Sequence, residues 1–283
     1  MLWRLPAIAG SDVVWLDTTP KMQTPHHNLR RVFLQGFIVQ DVARPLLSFD
    51  DFAPARRVKE VLDATGHEIG GVRRNGIVQS IVHRNDLKDR TCGEDSRPIE
   101  DSWCVPDTLP LSELVLRLNE NERLFVIALG QVSGVVCRTD LLQPPARMWL
   151  FGMITLLEMR FSRLIEAHCP ADSWKASVSE GRIQKAEALR EERKRQKLDV
   201  TLFDCLQFAD KAQIVARHEQ LRGFTRFDSR KQVEDVGKRL EKLRNDLAHA
   251  QDIVANDWGT ILELVKDLES VLDGPNGLFN AGS

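Results

Sequence analysis

Apolar and polar positions alternate in two different rhythms along this chain. From 37 to 145 the apolar runs are short and separated by turn residues. Ala55 to Ala64 carries Val58, Val61 and Leu62 on one face, predicting a helix. Ile69–Val72 and Ile77–Val82 then flank Asn75-Gly76, a strong hairpin signature. The order recurs: a strand at 103–106, a helix with Leu111, Leu114, Val115 and Leu118 on one face, then strands at 124–128 and 132–136 around Gly130-Gln131. Aligning Ser80–Leu87 (SIVHRNDL) with Gly134–Leu141 (GVVCRTDL) superimposes Arg84 on Arg138, Asp86 on Asp140 and Leu87 on Leu141. Residues 88–102 are polar and read as the loop joining the repeats.

From Arg147 onward the period is helical throughout. Met148–Ala167 is a long, largely buried helix, and Ser177-Val178-Ser179-Glu180 announces another to about Lys197. Asp210–Gln213 and Ser229–Gln232 read as starts of two more, and Trp258–Leu272 packs last. Five helices with short connections predict a bundle. The fold class is therefore α+β, with a repeated strand-rich half followed by an all-α bundle. The boundaries fall at 1–36 (an N-terminal segment with a short strand at Val13–Leu16 and a polar stretch), 37–145, 146–274 and a 275–283 tail.

The fourth of these helices carries the densest chemistry. Val233, Val236, Leu240, Leu243, Leu247 and Ala250 form one apolar stripe from Val233 to Ile253. Arg244 lies at its edge, while Asn245 and His249, four apart, stack on a side turned away from it. Imidazole, amide and guanidinium are suited to acting on a phosphodiester, and equally ordinary on a solvated helix. The Lys/Arg-rich run from Arg182 to Lys197, seven basic residues against three Glu, reads mainly as a solvated face.

Composition narrows the classes. With 283 residues, 28% charged, 42% hydrophobic and net charge −2, this is the composition of an ordinary soluble protein of about two domains. That charge supplies no global attraction to nucleic acid or anionic lipid. The five cysteines include no CxxC pair and no zinc-like spacing, pointing to reduced thiols in a cytoplasm and to no metal. His26-His27 are adjacent and point to different sides, a poor metal pair. The first residues are too broken by Pro6, Gly10 and Asp12 for a signal peptide, and Trp149–Leu157 is too short to span a bilayer, so no membrane is expected.

The string LRNDLAHAQDI, from Leu243 to Ile253, resembles the signature helix of HEPN domains, all-helical modules whose ribonucleolytic members carry an Arg, a polar residue and a following His. The matching positions are Arg244, Asn245 and His249 in an R-x4-H arrangement, and Asp210–Ile214 (DKAQI) also resembles a HEPN segment. The resemblance implies a metal-independent endoribonuclease. His249 would move protons, Arg244 would hold the scissile phosphate and Asn245 would orient His249 or the ribose. Arg244 and His249 lie about 140° apart on one helix, so the mechanism asks for two copies meeting as a homodimer.

The repeated half resembles a tandem pair of CBS domains, whose unit ends in a Gly-apolar-apolar-(Ser/Thr)-x-x-Asp string. This implies a (β-α-β-β-α)2 module with clefts for an adenosine-containing nucleotide such as AMP or ATP. By that resemblance Asp86 and Asp140 face the ribose, and His83 and Cys137 take the Ser/Thr positions. Arg84 and Arg138 are placed to face a phosphate. Without the resemblance, the two aspartates are caps of the segments that follow. The implied function is an adenosine-ligand sensor controlling a ribonuclease dimer. The alternative is a non-catalytic regulator binding a protein or RNA partner.

Overall fold

The computed structural model describes residues 31–225 and 227–273, with side chains to 266. The Val13–Leu16 strand, the His26-His27 pair and the 275–283 tail lie outside these residues. The first repeat comprises β1 (Arg44–Pro45), β2 (Ser48–Asp50), α1 (Ala55–Thr65), β3 (Ile69–Arg74) and β4 (Ile77–His83). The second comprises β5 (Arg97–Pro98), β6 (Cys104–Pro106), α2 (Leu111–Glu120), β7 (Arg123–Ala128) and β8 (Gln131–Cys137). Each short helix is the crossover between two parallel strands, β2 to β3 and β6 to β7, and each hairpin then adds an antiparallel strand.

The two units interlock. β1 opens the first repeat but pairs with β8 of the second, and β5 opens the second but pairs with β4 of the first. The sheet orders are therefore β1-β8-β7-β6 and β2-β3-β4-β5. Pro45 and Pro98 sit in these outer strands, where the missing N–H costs least. Leu46, Ile69, Ile81, Phe125 and Val135 fill the seam between the sheets.

Two local expectations change. The second hairpin turns at Leu129-Gly130, one residue earlier than Gly130-Gln131, with φ of 50° and 78°. Leu129 thus takes the left-handed position that Asn75 (φ 52°) occupies in the first hairpin. In the first repeat, residues 84–96 form turns where the CBS-like unit places its closing helix. Asp95 organises that loop, accepting Lys88 N–H at 2.7 Å and pairing with Arg90.

The bundle consists of α3 (Pro144–His168), α4 (Glu180–Arg195), α5 (Phe208–Arg217), α6 (Arg230–Ala248) and α7 (Ile253–Asp273). The capping box at Ser229 is present: Gln232 N–H donates to Ser229 Oγ at 3.2 Å, and Ser229 N–H to Gln232 Oε1 at 3.1 Å. α5 starts earlier than expected, at Phe208, so Asp210 lies in its first turn and accepts Gln207 N–H at 3.1 Å. Gly237 lets α6 approach α5, since a Cβ there would fall 2.3 Å from Ala212 Cβ. One hydrophobic core runs without a break from Val105, Leu114 and Val136 of the second repeat to Leu150, Leu243 and Val265 of the bundle. The first repeat keeps a small separate core around Val58, Leu62 and Val82. Among the described residues, no helix is long and apolar enough to cross a membrane.

Candidate functional site

Where the two repeats face each other, a cleft of about 420 Å³ opens, lined among others by Arg44, His67, Glu68, Arg123, Cys137 and Thr139. Its size lies in the range of small-molecule sites. β1 contributes Arg44 at the start of the first repeat, the α1–β3 link contributes His67 and Glu68, β7 contributes Arg123, β8 contributes Cys137 and the turn after β8 contributes Thr139. Each arginine carries a carboxylate. Arg123 Nη2 lies 2.9 Å from Glu68 Oε2, and this hydrogen bond, with the charge behind it, holds the Glu68 carboxyl below its ordinary range. Arg44 Nε lies 2.7 Å from Asp140 Oδ1, and its Nη2 reaches Cys137 Sγ at 3.3 Å. The buried Nδ1 of His67 has no hydrogen-bond partner.

Asp140 is 4% exposed and fully engaged. Its Oδ2 accepts Cys137 N–H at 2.8 Å and its Oδ1 accepts Gln143 Nε2 at 3.2 Å, besides Arg44. Asp140 is thus the third residue of a capping box closed on Cys137, rather than the cap of the helix that follows, whose N-cap is Gln143. Asp86, its counterpart, is exposed and has no side-chain partner among the described residues. His83 Nδ1 accepts Asn85 N–H at 3.2 Å. Both motif arginines reach back to the end of their repeat's helix. Arg138 donates to Leu118 O at 2.8 Å and Asn119 O at 3.0 Å, and Arg84 lies 3.8 Å from Asp63. Of the six residues matched to the CBS strings, Cys137 lines the cleft and Asp140 anchors its wall; His83 and Arg84 adjoin it, paired with Ile69 and bonded to Glu68 O, while Asp86 and Arg138 are not among its lining residues. Arg44, His67, Glu68, Arg123 and Thr139 went unmarked. One signal was available for Arg44: the Arg-Pro pair at 44–45 recurs at 97–98, extending the repeat to the exchanged strands.

The end of α6 is the second centre. The helix stops at Ala248, short of Ile253, and His249 is its C-cap, its N–H bonded to Asn245 O at 3.0 Å. Asn245 and His249 are exposed and Arg244 is half-buried. Arg244 Nη1 lies 3.4 Å from Glu158 Oε2 of α3, and Lys211 holds the other oxygen at 3.0 Å. Gln251 N–H closes on Asp246 O at 2.9 Å over Ala250, whose φ of 54° is the left-handed position such a terminus usually gives to glycine. Ala250 therefore falls off the apolar stripe. Lys242 Nζ bridges Asp246 Oδ2 at 2.7 Å and the buried Asp257 at 2.9 and 3.0 Å. The Lys242 contact pulls the Asp246 carboxyl below its ordinary range. Among the described residues no group of three His, Cys, Asp or Glu side chains is placed to hold a metal ion.

No family model matches the chain, and no curated protein matches it. Solved structures similar to its N-terminal region are CBS domain pairs. The CBS domain of a bacterial CNNM/CorC family Mg2+ transporter in complex with ATP is 16% identical, over 41% of this chain and 91% of that one, with TM-score 0.33. The CBS-pair protein CBSX2 from Arabidopsis thaliana is 18% identical, over 37% and 91%, with TM-score 0.33. An uncharacterized conserved protein from Pyrococcus horikoshii is 13% identical, over 38% and 91%, with TM-score 0.34. The α+β architecture rests on the interlocked repeats themselves, and the helices beyond them fall outside these matches.

Proposed function

We propose that the chain is a ligand-responsive regulator, in which the inter-repeat cleft takes an adenosine nucleotide and the bundle of 146–274 is the output. One observation carries this reading: two arginines from different elements, each tethered to a carboxylate, line one cleft of nucleotide size. A phosphate can take over either guanidinium fork with little rearrangement. Adenine chemistry is what the CBS-like strings imply; CBSX2 has been solved with AMP. Calorimetric titration with AMP and ATP tests the reading. Binding should weaken about tenfold or more in Arg123→Ala, the loss of one charge-assisted contact. Wild-type protein that gives no heat with either nucleotide at millimolar concentration sinks it.

A second reading concerns what the output does. Asn245 and His249 share an exposed side at the end of α6, which favours the HEPN-like ribonuclease over a purely structural terminus. In that reading a homodimer brings two copies of Arg244, Asn245 and His249 into one cleft, and Arg244 leaves Glu158 for the scissile phosphate. His249→Ala would then abolish cleavage of single-stranded RNA while the dimer persists in sedimentation. Wild-type protein that leaves RNA intact returns the bundle to a non-catalytic role, binding a protein or RNA partner.

A further inference from the structure

The eleven residues from Cys137 to Arg147 touch both centres. Cys137 and Thr139 line the cleft, and Asp140 holds Arg44 in its wall. Gln143 ties this turn to Val42 O at 2.6 Å, and α3 starts at Pro144 without an intervening loop. From its first turn Arg147 reaches the end of α6. Its Nη2 donates to Asp246 O at 3.0 Å and Leu247 O at 3.1 Å, and its Nη1 to Gln251 O at 3.0 Å. Three C-terminal carbonyls thus share one guanidinium, the favoured charge at that end of a helix.

A second arm leaves the same stretch and arrives at the same residue. The Arg138 guanidinium sits 4.6 Å from the centroid of the Trp258 ring, and Trp258 Nε1 donates to Asn119 Oδ1 at 3.2 Å. Its neighbour Asp257 stands at a break in α7, with φ −131° and ψ 15°, and receives Lys242. Lys242 in turn grips the Asp246 side chain. Asp246 is therefore held by its carbonyl through Arg147 and by its carboxylate through Lys242. His249 lies less than one turn beyond, on a terminus whose non-glycine left-handed residue makes it dependent on outside contacts.

We infer that Arg147 and Lys242 are positioning residues that set the end of α6 according to the state of the cleft. This rests on the proposed reading of the cleft as a ligand site and of the α6 terminus as its output. A ligand that draws Arg44 off Asp140 frees the cap on the 137–143 turn. Both arms then shift together, because both start from that turn. The device is a linkage between two sites through packed side chains, so it is reciprocal in free energy.

Amide hydrogen exchange of residues 245–251, in the full chain, tests it with two perturbations: saturating AMP and Asp140→Asn. Each should change exchange there about fivefold or more, the lower bound of ordinary linkage between sites. The response should fall below half in Arg147→Ala and in Lys242→Met, and return in Lys242→Arg, which a merely stabilising contact would not require. If AMP binds and exchange at 245–251 stays unchanged, the inference fails while the cleft reading stands. If AMP does not bind, the cleft reading fails and Asp140→Asn decides alone: an unchanged 245–251 segment overturns the linkage. A response that survives the Arg147→Ala/Lys242→Met double variant also overturns it.

Discussion

The two repeats share a topology and differ in what covers their helices. Aligned on their N-capping prolines, Pro54 and Pro110, α1 and α2 bury the same three positions against their sheets: Ala55, Val58 and Leu62 against Leu111, Leu114 and Leu118. The next face differs. α2 also buries Ser112 and Val115, where α7 and the bundle lie on it, while the matching positions of α1 are Arg56 and Lys59, both exposed. The motif aspartates follow suit, Asp140 being locked into a cap and an ion pair and Asp86 open to water. The second repeat shares one core with the bundle, and the first stands as a free wall of the cleft. That asymmetry joins the cleft to the bundle without a linker.

Exchanging residues between the repeats should break the asymmetry most visibly. Val115→Lys places the α1 residue into the shared core and should cost about 3–5 kcal/mol, since an unpaired charge is then buried. The reverse change, Lys59→Val, should stay within about 0.5 kcal/mol. Urea unfolding followed by circular dichroism measures both, and equal effects would dissolve the distinction. Next in size, Asp140→Asn should cost about 2 kcal/mol through the weakened cap and lost ion pair. Asp86→Asn should change stability by less than about 0.5 kcal/mol in the same assay.

A smaller gain comes from the hairpins. Leu129→Asn, which copies Asn75, should stabilise by about 0.5–1 kcal/mol because the short polar side chain of Asn can hydrogen-bond the local backbone and so takes the left-handed conformation more readily than Leu. A destabilised variant would mean that the exposed Leu129 side chain makes contacts beyond the turn. Smallest is the acid dependence of Glu68, whose folded carboxyl lies below its ordinary value. Its pairing with Arg123 therefore contributes above the unfolded pKa and is lost as pH falls through the folded one. The stability difference between wild type and Glu68→Gln should shrink toward zero with acidification, and a difference that grows instead would reverse the assignment.

Much of the fold could be read from local pattern, for a physical reason in each case. Asn75-Gly76 marks its hairpin because few residues tolerate two successive left-handed positions, and Ser229–Gln232 marks its helix start because the capping box is local. The exchanged strands β1 and β5 escaped because two residues cannot show a period; only the recurring Arg-Pro betrays them. The site was less legible still. Nothing near Arg244 foretells Glu158, nor does Arg147 announce that it caps a helix end far along the chain. A helical wheel places side chains around an axis but is silent on partners from other elements and on where Ala250 stops the helix.

Native-state hydrogen exchange across low urea tests the shared core most directly, because it reports which segments open together. Amides of α2 should open at the same free energy as those of α3 and α6, with α1 opening separately and at lower cost. Joint opening of α1 with α2, while the bundle opens apart from both, would contradict it.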